Sequence, residues 1–225
     1  MRGKSAALPH SGDIYTRRRI KEITARWDAR ADSWDRRLEN PACHLNEDDA
    51  YRRFLRVVQR RITQRRAFCG AHGIIDLGCG TGLVLAKVAG CFAWGVGVDV
   101  SPQMIRVARA KGLAKTTFLV GDGFQLPELC PKAGAVLSRG VLLSHYGPEQ
   151  GQALLEAARS ALLPGGFLAC DFLNAAARGQ QRHAPENKTW FTAGEIRAMA
   201  RRAGFSNAAC SGTPDRRVLI LLAEK

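Results

Sequence analysis

The patterning of the chain predicts an α/β fold: a doubly wound, mostly parallel seven-stranded sheet behind an N-terminal helical segment. Three observations carry this reading. From about residue 72, short apolar runs alternate with helical stretches, as in a sheet covered by helices on both faces. The first run leads into a glycine-dense turn at Gly78, Gly80 and Gly82. Near the C-terminus, Pro214-Asp215 separates two strand-like stretches, which reads as a hairpin with an antiparallel last strand.

Taken in order, the first element is an amphipathic helix in which Ile20, Ile23, Trp27, Ala31, Trp34 and Leu38 share one face, ended by Asn40-Pro41. A second helix repeats that spacing with Tyr51, Phe54, Leu55, Val58 and Ile62. Strands follow at 73–77, 93–98, 116–120, 133–138 and 167–172, with helices at 81–90, 101–111 and 147–162 between them. Ser101 and Pro102 supply the N-cap and first turn of the second of these helices. Residues 173–190 read as a long polar loop. Thr192-x-x-Glu195 then opens a helix as a capping box, Ala203-Gly204-Phe205 closes it, and strands at 205–210 and 217–223 complete the sheet. The division expected is a basic helical lid over 1–70 and a core over 71–225, with the 173–190 loop serving the substrate.

With 225 residues, 46% of them hydrophobic, the chain can bury a full core. No apolar run is long enough to cross a membrane, and the first residues lack the apolar stretch of a secretory signal. Seven scattered cysteines, none in a CxxC pair, give neither a disulfide framework nor metal-ligand spacing. A cytoplasmic protein with reduced thiols and no metal is expected. The net charge is +14, and residues 1–70 hold 17 basic against 9 acidic residues. That excess suits solvated helix faces, an anionic substrate or nucleic acid.

The most informative stretch is Ile74-Ile75-Asp76-Leu77-Gly78-Cys79-Gly80-Thr81-Gly82. A buried strand entering such a turn ahead of a helix lets backbone approach a ligand and offers free N–H groups, Cys79 through its backbone N–H. The dinucleotide pattern G-x-G-x-x-G/A fails, because Leu83 stands at its third small position. The G-x-G-x-G spacing, with Asp76 two residues ahead, instead resembles the first motif of the class I S-adenosylmethionine-dependent methyltransferases, small-molecule type. The resemblance extends over about 25–225 through Gly95-Val96-Gly97-Val98-Asp99-Val100-Ser101, Gly121-Asp122-Gly123, Leu162-Leu163-Pro164-Gly165-Gly166 and Trp190-Phe191-Thr192 with Ala203-Gly204-Phe205. It implies S-adenosylmethionine as cofactor, with Asp99 on the ribose, Asp122 on the adenine amino group, and Val100, Met104, Gly123 and Phe124 around the base. Asp76, Gly78, Cys79, Gly80 and Gly82 would border the methionine moiety with Ser138 and Arg139. Trp27-Asp28-x-x-Ala31-x-x-Trp34-Asp35 resembles the family's Y-D-x-x-A-x-x-Y-D cover, with Trp34 over the cofactor and tryptophans replacing both tyrosines.

Methyl transfer from a sulfonium needs a nucleophile held close and dry, and a base when that nucleophile carries a proton. His145, just past the fourth strand, is the base by type and place. The absence of D/N-P-P-Y/F at Ser138-Arg139-Gly140-Val141 sets aside the amino-methylating enzymes of nucleic acid bases. Cys130-Pro131, upstream and in reverse order, sets aside cytosine-C5 chemistry. Tyr15, Tyr146, Arg178, Arg182, His183 and Trp190 are the candidates to bind the acceptor, and the basic loop suits a carboxylate or phosphate on it. The expected function is methylation of a small-molecule O, N or C nucleophile. The alternatives are an RNA methyltransferase and a non-catalytic cofactor-binding interaction protein.

Overall fold

The computed structural model describes residues 14–39, 49–140, 142–180 and 188–225. Its helices and strands are α1 (Ile14–Asp28), α2 (Trp34–Glu39), α3 (Ala50–Gln64), α4 (Arg66–Ala71), β1 (Ile74–Leu77), α5 (Leu85–Val88), β2 (Gly95–Asp99), α6 (Pro102–Ala110), β3 (Thr116–Val120), α7 (Leu126–Leu129), β4 (Ala133–Ser138), α8 (Pro148–Ser160), β5 (Leu162–Leu173), α9 (Ala193–Arg202), β6 (Ser206–Ser211) and β7 (Val218–Glu224). The seven strands form one sheet in the order β3-β2-β1-β4-β5-β7-β6. All neighbours are parallel except β7, which runs antiparallel between β5 and β6.

Consecutive residues of a strand face opposite sides, so Ile74 and Ile75 of β1 enter two different cores. Ile75 joins Val98, Val136, Leu155 of α8 and Ile196 of α9. Ile74 joins Phe54 and Val58 of α3, Ile105 of α6 and Phe118. Phe54 and Val58 are fully buried, so α3 covers the sheet as part of the core. Two caps anticipated from the residues are formed. Ser101 Oγ accepts from Met104 N at the start of α6, and Thr192 and Glu195 close a capping box on α9.

Four segments depart from the sequence reading. The single helix expected over the stripe Ile20–Leu38 is broken: α1 stops at Asp28, a 3-10 turn spans Ala31–Ser33, and α2 begins at Trp34. Ser33 Oγ donates to the Arg30 carbonyl, a local bond of the kind that competes with helix continuation. The helix expected at 81–90 is mostly turn, because Gly82 sits in the left-handed region at φ 79° and only Leu85–Val88 is α-helical. β5 starts at Leu162 rather than 167, carrying the Pro164-Gly165-Gly166 turn within it. Part of the 173–190 stretch is ordered as a 3-10 turn, Ala175–Gln180. It is pinned by buried Asn174, whose Nδ2 donates to the carbonyls of Pro214 and Arg216. Asn40-Pro41 lies outside the described residues. Among those described, no helix is long and apolar enough to cross a membrane.

Candidate functional site

The strand order reverses between β1 and β4, whose chain connections leave to opposite sides. A crevice therefore opens beyond their C-terminal ends, the place where open α/β sheets bind ligands. Here it is a cavity of about 490 Å³, floored by Asp76–Thr81 and roofed by Ile23, Arg26, Trp27, Arg30 and Trp34 of the N-terminal segment.

The inner end is made largely of backbone. Gly78 and Gly80 take φ of 71° and 54°, which only glycine adopts without strain. A Cβ on Gly80 would stand 3.9 Å from both Met104 Sδ and Trp34 Nε1, so the bare backbone faces the gap between those side chains. The loop's N–H groups are turned to the sheet instead of the cavity. Gly78 N and Cys79 N donate to the Val98 carbonyl, and Gly80 N donates to Asp99 Oδ2 at 2.8 Å. Cys79 thus does not offer the free N–H expected of it, and burial pushes its thiol well above the ordinary range, so it supplies no thiolate.

Two buried carboxylates face this backbone. Asp99 Oδ1 also accepts from Ser101 N at 2.9 Å; burial raises its pKa while these N–H groups pull it back. Asp76 is 1% exposed, and its Oδ2 is buried with no hydrogen-bond partner among the described residues. Burial and then the neighbouring Asp99 push its pKa up to about 7, against the pull of Arg139. A buried, unpartnered carboxylate costs free energy unless a cation or donor arrives. The ammonium of a methionine moiety fits that requirement, and the paired lone pairs of Asp99 fit ribose hydroxyls.

The outer end is made of long side chains from distant segments. The loop after β4 brings Arg139, His145 and Tyr146, and the C-terminal elements bring Lys188, Asp215 and Arg217. His145 is 5% exposed, with Nδ1 unpartnered among the described residues, while its carbonyl accepts from Arg19 Nε at 2.8 Å. Burial, with Lys188, Arg19 and Arg26 nearby, holds its pKa well below 6.5, so the imidazole is neutral. The same crowding of cations, after burial, lowers Lys188 to about 6.

Of the residues singled out from the sequence, the structure brings Asp76, Gly78, Cys79, Gly80, Asp99, Val100, Met104, Gly123, Arg139, Trp34, His145 and Tyr146 to one cavity. Others stand apart from it. Gly82 packs on Phe118, which a Cβ there would meet at 2.8 Å. Asp122 caps its own turn by accepting from Phe124 N and Gln125 N, and Phe124 stacks edge-on against Tyr146. Ser138 is buried at the end of β4 with Oγ unpartnered among the described residues. Tyr15 lines a separate recess with Arg18, Glu22 and Thr189, behind His145. Arg178 is exposed on its 3-10 turn, and Trp190 packs with Ala50, Leu173 and Val218. Arg182 and His183 lie outside the described residues. Sequence reasoning missed Arg26, Arg217, Tyr51 and Asp171 as lining residues. Only Asp171 carried a signal: a lone carboxylate inside the apolar run 167–172.

Comparison with known proteins agrees with this geometry. Residues 74–166, from β1 into β5, match the family described as a methyltransferase domain. The strand order with its antiparallel β7 is that of the class I methyltransferase fold. Magnesium protoporphyrin IX methyltransferase from Synechocystis PCC 6803, solved with SAH, superposes with a TM-score of 0.73 at 20% identity, covering 91% of this chain and 99% of that one. DhpI in its SAH complex gives 0.67 at 20% identity, over 91% and 95% of the two chains. A Haloferax volcanii putative methyltransferase, solved with the Trm112 activator, gives 0.66 at 21%, over 88% and 96%. No curated protein sequence matches the chain.

Proposed function

We propose that the protein methylates a small, negatively charged acceptor held between α1 and the C-terminal elements, with His145 taking the acceptor's proton. The observation that supports this is the polarity of one cavity: carboxylates and glycine backbone at its inner end, cations and a neutral imidazole at its outer end. When bound, S-adenosylmethionine would supply a sulfonium methyl group open to in-line attack by an acceptor lone pair, with a neutral thioether as leaving group. The chain's own part is to hold and exclude. Asp76 and Asp99 would hold the cofactor's ammonium and ribose, and Arg139, His145 and Tyr146 line the acceptor's part of the cavity. The roof of Ile23, Trp27 and Trp34 keeps water out. A cavity of about 490 Å³ is in the range of cofactor and small-molecule sites. An acceptor anion at the outer end also offsets the cations that depress His145, which makes the imidazole a better base when the site is filled.

The test is methyl transfer from labelled S-adenosylmethionine into a fractionated cell extract. Label in low-mass material retained by an anion exchanger is the expected result. Label confined to RNA or protein would overturn the small-molecule reading.

A further inference from the structure

The outer end of the cavity collects more positive charge than its own carboxylates offset. Arg26 and Arg30 reach it from the lid, Lys188 from the segment before α9, and Arg217 from the entry to β7. Two carboxylates line this part of the cavity: Asp215 is exposed and bonded to Thr213 in its own turn, and Asp171 is buried and accepts from Gly140 N. Arg217 Nε is buried with no hydrogen-bond partner among the described residues. Lys188 stands at the centre: it lines this cavity, and with His145 and Tyr146 it also lines the recess beyond.

We propose that Lys188, Arg26 and Arg217 form the binding site for an oxyanion of the acceptor, a carboxylate or phosphate, and that Lys188 takes up a proton as the anion arrives. This deepens the small-molecule methyltransferase reading and rests on it. α1 and the turn after it bring the charges of Arg19, Arg26 and Arg30 close enough to act on the Lys188 amine, and the C-terminal side brings Arg217. His145 faces it uncharged from the β4 loop. On the far side of the recess Glu22 is engaged by Arg18 and Arg19, and Tyr15 and Tyr146 complete its lining. Burial and those four guanidiniums hold Lys188 near 6, so without an anion it is mostly uncharged at pH 7.5. An oxyanion seated among the three side chains cancels that repulsion and accepts charge-assisted hydrogen bonds from a lysine that has become an ammonium. Binding and protonation are then one linked event.

The probes are pyrophosphate and citrate, one for each oxyanion chemistry, titrated by calorimetry into the whole protein with and without S-adenosylhomocysteine. Runs at pH 7.5 in two buffers of different ionisation enthalpy count the protons exchanged. At least one probe is expected to bind with an uptake approaching one proton, falling toward zero at pH 5, where Lys188 is already charged. Lys188→Arg, which cannot lose its charge, should bind the anion with no uptake. Lys188→Met should weaken binding at least tenfold. The proposal is overturned if neither probe binds, if binding takes up no proton in the wild type, or if Lys188→Arg keeps the full uptake, which would place the proton on His145. The S-adenosylhomocysteine leg keeps the two readings apart: its heat retained beside a silent anion leg sinks the clamp alone, and its absence beside a proton-linked anion leg sinks the methyltransferase reading alone.

Discussion

The two ends of the cavity are built on opposite plans. At the inner end, one continuous segment, Asp76–Thr81, meets one residue from the next strand, and backbone hydrogen bonds from Gly80 and Ser101 fix Asp99. At the outer end, side chains from the lid, the β4 loop and the approach to β7 converge from more than a hundred residues apart. The inner plan is rigid and fits a cofactor with an ammonium and a diol. The outer plan is adjustable and electrostatic, and its chemistry is set by which charges happen to meet. Binding of cofactor and turnover of acceptor should therefore separate cleanly by mutation.

The largest expected effect tests the outer end. General base catalysis typically contributes about 10²–10⁴-fold, so His145→Ala should lower kcat by that order with cofactor affinity little changed. The active form is the neutral imidazole. Burial and the cations hold its pKa well below 6.5 before the acceptor binds, so kcat at saturating substrates, where the anion offsets those cations, should fall on the acid side at a higher pH than the free imidazole's depressed pKa implies. The variant should lose that acid limb. Full activity with an unaltered profile in His145→Ala would assign the proton to another group.

At the inner end, under the proposed reading, charge-assisted hydrogen bonds from two ribose hydroxyls to Asp99 would contribute about 1.5–3 kcal/mol each. Asp99→Ala should raise the cofactor Kd at least tenfold without moving the pH profile of kcat. Calorimetry on the folded variant checks this; unchanged affinity would mean the ribose is held elsewhere. Asp76 gives a smaller, graded effect. With its carboxyl titrating near 7 in the absence of cofactor, ionised Asp76 is the form that receives the ammonium. Affinity should fall about tenfold between pH 8 and pH 6, and Asp76→Asn should abolish that slope. A wild-type Kd independent of pH would show that the ammonium is not paired there.

How far the sequence could be read follows the same division. The mostly parallel sheet, its antiparallel last strand and the glycine loop were legible, because period, turn chemistry and a contiguous motif are local signals. Asp76, Gly80 and Asp99 belong to that class. Arg26 and Arg217 were not legible: each is one arginine in an arginine-rich chain until the fold places it. Asp122 and Gly82 show the converse, since their motif positions pointed to the cofactor while the structure has them capping a turn and packing on Phe118. The helix break before Trp34 escaped the periodicity because an apolar stripe continues in register across a one-turn interruption.

The N-terminal segment roofs both ends of the cavity, and the smallest expected effect decides whether it works as a lid. The two aspartates of the Trp-Asp repeat act as ties. Asp28 Oδ1 accepts from Ser101 Oγ at 2.5 Å and from Gln103 N at 3.2 Å, which fastens α1 to the start of α6. Asp35 accepts from Thr81 Oγ1 at 2.5 Å and pairs with Lys111 at 2.7 Å, which fastens α2 beside the glycine loop. Thr81 follows Gly80 directly, so whatever orders the loop also holds the lid. The side chains of Asp35 and Lys111 are 29% and 24% exposed, so solvent screening trims the pair. About 1 kcal/mol is a fair value for the tie, equivalent to about fivefold in the lid's opening equilibrium. Hydrogen exchange over residues 15–38 should therefore slow when cofactor binds, and quicken about fivefold in Asp35→Ala, with global stability nearly unchanged. Cofactor affinity in that variant should fall by no more than the same factor, because the ligand must now supply the free energy of closing the lid. Exchange that ignores both cofactor and Asp35→Ala would make α1 and α2 a permanent wall, and the acceptor would then have to enter through the recess beside Lys188 and Tyr15.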